Sequence, residues 1–213
     1  MPVNVKICGL KTPDTLKAAL DEGASFVGFV FYGPSPRCIL PGPAASLAAL
    51  VPDEVAKVGV VVNADDTTLE SILRKVPLDI LQLHGEESLE RVAEIKRTYG
   101  LEVMKAVAIS SLDDLRAARA YQEVADSLLF DAKAPADAAR PGGNAKAFDW
   151  ALLADEDWEC PWMLAGGLNV ENLTEAVKIS GAEVVDVSSG VEDAPGVKSV
   201  EKIRAFLTLA NQL

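Results

Sequence analysis

The 213-residue chain lacks several features that common protein functions require. It has one histidine and three cysteines, and no apolar run reaches the roughly 18 residues that a membrane-spanning helix needs. A single histidine excludes metal sites that are built from two or three histidines. The cysteines are odd in number and unrelated in spacing, so they do not predict a disulfide framework. We therefore expect no bound metal, no membrane partner and a reducing, cytoplasmic location.

Basic residues are also scarce. The chain has 20 Lys and Arg against 32 Asp and Glu, which gives a formal net charge of −12. Because nucleic-acid binding requires a basic surface, we expect no nucleic-acid partner. The N-terminus has neither the basic nor the apolar segment of a secretion signal. An acidic protein can still bind an anion at a local site made of backbone N–H groups or arginines.

Short β-rich runs alternate with amphipathic helical patterns along the whole chain. The eight predicted strands are Val3–Ile7, Phe26–Phe31, Lys57–Val62, Ile80–Leu83, Glu102–Ala106, Leu128–Asp131, Trp162–Ala165 and Val184–Val187. Several of these runs are continuously apolar, as parallel strands buried on both faces should be. The pattern contains no linker, and it predicts an α/β protein in which residues 1–213 form a single (β/α)8 TIM barrel domain.

The segments between the predicted strands carry helix signals. Leu69, Ile72 and Val76 recur at helical spacing, and Ser111 with Asp114 resembles a capping box at the start of the fifth helix. An open doubly wound sheet is the alternative architecture. It usually has fewer strands and a GxGxxG turn after the first strand, and this chain has no such turn.

In a TIM barrel, the residues that follow the strands carry the chemistry. Cys8 follows the first predicted strand and Asp131 ends the sixth. A carboxyl group at the end of an apolar strand is partly desolvated, which favours a role as general acid. The competing interpretations are a small buried cysteine that closes a strand and an aspartate that caps the next turn.

Other candidate residues follow the remaining strands. Arg37 lies in a proline-stiffened loop after the second strand, where a solvated arginine on a surface turn is the alternative. His84 follows the fourth strand. Glycine-containing loops follow the sixth, seventh and eighth strands, at Gly142-Gly143-Asn144, Gly166-Gly167 and Ser188-Ser189-Gly190. Together they match the barrel pattern in which such loops bind phosphate through backbone N–H groups.

These segments resemble one known family. The matching motifs are Lys6-Ile7-Cys8-Gly9, Ser35-Pro36-Arg37, Gln82-Leu83-His84-Gly85, Phe130-Asp131, Phe148-Asp149-Trp150, Ala165-Gly166-Gly167-Leu168 and Asp186-Val187-Ser188-Ser189-Gly190-Val191-Glu192. In this order, from the first strand to the last, they resemble the phosphoribosylanthranilate isomerases of tryptophan biosynthesis.

The resemblance implies an Amadori rearrangement, without cofactor or metal, of N-(5-phosphoribosyl)anthranilate to 1-(2-carboxyphenylamino)-1-deoxyribulose 5-phosphate. By the family's motif, Asp131 would protonate the furanose ring oxygen and Cys8 would remove the C2 proton, while Arg37 would bind the anthranilate carboxylate. The other implied substrate-binding residues are Gln82, His84, Gly142, Gly143, Gly166, Gly167, Ser188, Ser189 and Gly190. The partner would be the small phosphosugar substrate, bound by a monomer or a homodimer.

The chain departs from the family at Asn144-Ala145, where Thr-Gly is usual, so phosphate contacts from this pair are not carried over. Two other functions stay open. One is another phosphosugar barrel enzyme, such as an indole-glycerol-phosphate synthase or a histidine-pathway isomerase, which Cys8 on the first strand and Ala106 on the fifth disfavour. The other is a non-catalytic barrel that binds a phosphometabolite, which would not need Cys8 and Asp131 together.

Overall fold

Within residues 2–133, 148–154 and 156–213, which the computed structural model describes, eight parallel strands close into a barrel in chain order. The strands are β1 (Asn4–Cys8), β2 (Phe26–Val30), β3 (Ala56–Val61), β4 (Ile80–Leu83), β5 (Glu102–Ile109), β6 (Ser127–Ala132), β7 (Trp162–Leu164) and β8 (Val184–Val187). Val185 of β8 lies opposite Val5 of β1, and this pairing closes the barrel. The predicted TIM barrel is therefore confirmed, and an open sheet is excluded.

Helices follow most of the strands and cover the outside of the barrel. They are α1 (Pro13–Asp21), α2 (Pro41–Ala48), α3 (Asp66–Leu73), α4 (Leu89–Tyr99), α5 (Leu112–Ala118), α6 (Leu173–Ser180) and α7 (Val200–Ala210). The described residues between β6 and β7 form a 3-10 turn at Trp150–Leu153. After β8, a hairpin of β9 (Glu192–Ala194) and β10 (Val197–Lys198) precedes α7.

Local signals explain where these elements begin. The Ser111 hydroxyl accepts a hydrogen bond from the Asp114 N–H at the start of α5, which confirms the predicted cap. Leu69 and Ile72 are the buried residues of α3, as their spacing predicts. All eight predicted strands overlap the observed ones, and the largest difference is in β5, which continues to Ile109. Hydrophobic periodicity thus places the elements correctly and leaves only their ends uncertain.

The interior of the barrel combines an apolar cluster with buried polar groups. Val58, Met104 and Leu129 belong to one interior cluster of apolar side chains. Lys6 of β1 has no solvent-exposed surface, and its Nζ donates to Asp186 Oδ1 of β8 at 2.9 Å. An ion pair therefore joins the first and last strands across the closing seam.

A second buried ion pair holds the backbone at the end of β4. Lys105 Nζ lies 3.0 Å from Glu87 Oε2 and also donates to the carbonyl oxygens of Leu83, Gly85 and Ala106. Burial lowers the pKa of Lys105 by more than the neighbouring Glu87 carboxylate raises it. The ammonium group is thus stabilised by several oxygens at once, and Glu87 depends on it for charge compensation.

We predict that Lys105→Met lowers the free energy of unfolding by about 3–5 kcal/mol, because it leaves the Glu87 carboxylate buried without its cation. Urea denaturation of the purified variant measures this change. Lys17→Met is the matched control, since Lys17 pairs with Asp21 on the exposed surface and its loss should leave stability nearly unchanged. Equal stability of both variants would contradict a stabilising role for the buried pair.

Candidate active site

The carboxyl ends of the strands surround an open pocket. Side chains and loops from most of the strands line it, and these include eight of the predicted site residues: Cys8, Arg37, His84, Asp131, Gly166, Gly167, Ser188 and Ser189. Gly190 lies in an adjoining pocket, while Gln82 is buried beneath His84. The predicted phosphate-loop residues Gly142 and Gly143 lie outside the described residues.

Cys8 reaches the pocket from the last position of β1. Its side chain and that of Lys6, two residues earlier, both flank Gly28 of β2: a Cβ at Gly28 would lie 3.3 Å from Cys8 Sγ and 3.3 Å from Lys6 Nζ. Burial raises the pKa of the Cys8 thiol above its ordinary value of 9.0, although the ammonium groups of Lys6 and Lys198 oppose that rise. The thiol is therefore protonated in most molecules at neutral pH.

Asp131 lies on β6, where its carboxylate is fixed from two sides. Oδ1 accepts a hydrogen bond from the Ala132 N–H at 2.8 Å, and Oδ2 lies 3.2 Å from His84 Nε2. Gly166 has φ of +89°, and a Cβ there would lie 2.6 Å from the Ala132 nitrogen and 3.2 Å from Asp131 Oδ1. A glycine is thus required for the loop after β7 to lie against the carboxylate.

Arg37 is buried and is not a solvated arginine on a surface turn. Its Nε and Nη2 donate to the two carboxylate oxygens of Glu192 at 2.7 and 2.8 Å. Lys198 Nζ also donates to Glu192, at 2.8 Å. Burial alone would raise the pKa of Glu192, but the hydrogen bonds and charges of Arg37 and Lys198 outweigh it and hold that pKa below its ordinary value.

No signal in the sequence marks Glu192 by itself as a site residue. It occurs only as the last residue of a longer matching motif, and 155 residues separate it from its partner Arg37. No local spacing signals a contact of that range. The fold brings the two together because the loop after β2 and the hairpin after β8 both lie at the carboxyl end of the barrel.

The loops after β7 and β8 are packed against each other and against β1. A Cβ at Gly190 would collide with the carbonyl oxygen of Leu168, so the two loops are in backbone contact. The Ser188 hydroxyl donates to the Cys8 carbonyl at 3.1 Å, and Asn172 Nδ2 donates to the Gly167 carbonyl at 3.0 Å. The candidate phosphate loops are therefore held in place beside the candidate base.

Two further properties hold for the described residues. They contain no group of three or more His, Cys, Asp or Glu side chains arranged to hold a metal ion. The described helices are also all too short or too polar to cross a membrane.

Comparisons of the whole chain with known proteins give one consistent result. The family model "N-(5'phosphoribosyl)anthranilate (PRA) isomerase" matches residues 5–208. A curated N-(5'-phosphoribosyl)anthranilate isomerase from Paramagnetospirillum magneticum is 55% identical over 210 residues, which cover 99% of this chain and 98% of that protein.

Solved structures show the same architecture. A phosphoribosyl anthranilate isomerase in complex with reduced 1-(o-carboxyphenylamino)-1-deoxyribulose 5-phosphate is 35% identical, with a TM-score of 0.86 over 99% of this chain and 100% of that one. A structure described as mutually generated monomers of the dimeric enzyme from Thermotoga maritima is also 35% identical, with a TM-score of 0.85 and the same coverage.

We predict that alkylation of Cys8 by iodoacetamide follows a pH profile whose midpoint lies above 9.0, because the thiolate is the reactive form and burial raises the thiol pKa. Mass spectrometry of peptides separates Cys8 from Cys38 and Cys160. A free cysteine peptide in the same buffer is the control. A midpoint for Cys8 at or below that of the peptide would show that Lys6 and Lys198 outweigh burial.

Proposed function

This chain belongs to the N-(5'-phosphoribosyl)anthranilate isomerase family of tryptophan biosynthesis, and we propose that Asp131 is its general acid and Cys8 its general base. The observation that carries the proposal is that both side chains line one pocket, Cys8 from β1 and Asp131 from β6. These strands lie on different sides of the barrel mouth, with β7 and β8 between them. The substrate would lie between an acid and a base.

The proposed reaction begins at the furanose ring. Asp131 donates a proton to the ring oxygen, the bond between C1 and that oxygen breaks, and the nitrogen lone pair forms an iminium at C1. The Cys8 thiolate then removes the proton from C2, which gives an enolamine. The enolamine becomes the ketone by gaining a proton at C1 and losing one from the C2 oxygen. One proton enters from Asp131 and one leaves to Cys8, so the reaction is a balanced isomerisation.

Arg37 is the proposed ligand of the anthranilate carboxylate. Glu192 occupies Nε and one N–H of Nη2, which fixes the guanidinium plane. Arginine has five N–H donors, and among the described residues its remaining edge has no partner, so that edge can form charge-assisted hydrogen bonds with a second carboxylate. The bound product analogue of the related solved isomerase carries a carboxyphenyl group and a 5-phosphate, the two anionic groups that this proposal assigns.

The loops after β7 and β8 are the proposed phosphate site. Gly166, Gly167, Ser188 and Ser189 line the main pocket, and Gly190 and Ser189 line the adjoining one. Gly167 has φ of +67°, a conformation that glycine adopts without strain. Backbone approach of this kind lets N–H groups point at an anion. His84 lies beside Asp131 at the mouth, and Gln82 is buried beneath it. Gly142 and Gly143 are proposed from the motif alone.

Loss of either reacting group should abolish most turnover without unfolding the protein. We predict that Cys8→Ala and Asp131→Asn each lower kcat by roughly 10²–10⁴, the span typical of a positioned acid or base. A fluorescence assay that follows consumption of phosphoribosylanthranilate measures this. Thermal melting of each variant is the control for folding. A wild-type kcat in either variant would exclude that residue from the mechanism. If the unmodified protein itself showed no turnover, a non-catalytic barrel that binds a phosphometabolite would be favoured instead.

Arg37→Ala should weaken substrate binding more than catalysis, because the proposed contact is to a part of the substrate that does not react. We predict an increase in KM of about tenfold or more, the effect of losing a charge-assisted hydrogen bond. A substrate analogue without the carboxylate is the matched control, since it cannot make the contact in either protein. Equal loss of affinity for both ligands would show that Arg37 only supports Glu192.

A further inference from the structure

Gln82 is a buried amide that the proposed reaction does not use. Its side chain belongs to β4, only 1% of its surface is exposed, and its Nε2 lies 2.7 Å from Nδ1 of His84. The amide oxygen Oε1 has no hydrogen-bond partner among the described residues. A buried polar side chain with an unpaired oxygen is unfavourable for folding. The hydrogen bond of its Nε2 to the imidazole is therefore the interaction that a role for Gln82 would depend on.

With the Gln82 amide oriented so that Nε2 faces the imidazole, the contact sets which imidazole nitrogen carries the proton. An amide N–H can only donate, so in this orientation Nδ1 of His84 is an unprotonated acceptor. The neutral imidazole then carries its proton on Nε2, which faces Asp131 Oδ2 at 3.2 Å. The result is a directed chain in which Gln82 donates to His84 and His84 donates to Asp131.

The same contact opposes a second proton on the imidazole. A proton on Nδ1 would face the amide N–H of Gln82 and would break a buried hydrogen bond. An imidazolium beside Asp131 would favour the ionised carboxylate more strongly than a neutral N–H donor does, because it adds an opposite charge to the hydrogen bond. An ionised Asp131 has no proton to donate, so a protonated His84 would disable the acid.

The surroundings of the imidazole contain few competing charges. The other ionisable side chains that line the pocket are Cys8, Tyr32, Arg37 and Asp186. On the outer side of β4, Lys105 donates to the carbonyl oxygens of Leu83 and Gly85, on either side of His84. Among the described residues, Asp131 is the one carboxylate within 4.0 Å of the imidazole.

We propose that Gln82 holds His84 in the neutral tautomer protonated at Nε2, so that His84 positions Asp131 without taking its proton. His84 and Gln82 are then positioning residues that act through Asp131, rather than groups that react with substrate. This role rests on the proposed function of Asp131 as the acid.

Nuclear magnetic resonance of protein labelled with ¹⁵N-histidine tests the tautomer directly. His84 is the single histidine of the chain, so every imidazole signal reports on it. We expect a protonated Nε2 and a bare Nδ1 under the conditions of the activity assay. A proton on Nδ1, or on both nitrogens, would overturn the proposal. This readout does not require turnover, so it stands even if Asp131 proves not to be the acid.

Two substitutions of Gln82 by side chains of similar length test the consequence for catalysis. Gln82→Glu supplies a carboxylate that accepts from Nδ1–H and so favours the imidazolium. We expect both imidazole nitrogens to be protonated and kcat to fall by about 10²-fold, the effect typical of losing an acid, with KM nearly unchanged. Gln82→Met removes the amide without adding charge, and we expect a mixture of tautomers and a loss in kcat of less than about tenfold.

The pattern of kinetic constants separates positioning from simple support of the fold. A wild-type kcat in Gln82→Glu, or a loss in Gln82→Met as large as in Gln82→Glu, would overturn the proposal, because only the glutamate promotes an imidazolium. If Gln82→Glu does not fold, the proposal is tested by the histidine spectrum of the unmodified protein and by the spectrum and kcat of Gln82→Met. Activity that survives Asp131→Asn would refute the acid without changing the tautomer.

Discussion

The ion pair between Lys6 and Asp186 is the contact on which the mouth of this barrel depends. Both groups are buried, where a charge is unfavourable unless a close partner and good geometry compensate. The pair spans the seam at which β8 meets β1, and Lys6 lies two residues before Cys8 on the same face of β1. The interaction that links the two ends of the sheet therefore also contributes to the charges around the candidate base, together with Lys198.

A second set of charges connects the loops above that seam. The guanidinium of Arg37 and the ammonium of Lys198 share the carboxylate of Glu192, so the loop after β2 is tied to the hairpin after β8. Gly9, with φ of +84°, permits this arrangement, since a Cβ there would lie 2.9 Å from the Arg37 side chain. Each loop of a TIM barrel is connected by the backbone only to its own strand and helix. The contacts of Glu192 with Arg37 and Lys198 fix the loop after β2 relative to the hairpin after β8.

The fold could be predicted from the sequence because each strand and helix has its own local periodicity, and eight repeats with short connections leave few architectures open. Cys8 and Asp131 could be placed at the mouth for the same reason, since strand ends converge in a barrel. The contacts of these residues could not be predicted. The bond of Arg37 to Glu192 and that of His84 to Asp131 join distant parts of the chain, and their geometry depends on strand register and on glycine positions.

The raised pKa of Cys8 has two opposing consequences for the proposed reaction. It reduces the fraction of molecules with a thiolate at neutral pH. A thiolate of higher pKa is, however, the stronger base, so each thiolate removes the C2 proton faster. The order of the proposed steps further increases the rate of this proton removal. Ring opening by Asp131 places a positive iminium at C1, next to the proton that Cys8 must remove. That charge favours the thiolate, as a nearby cation does, and acidifies C2. The base is thus most easily formed after the acid has acted, which makes a protonated Cys8 compatible with catalysis.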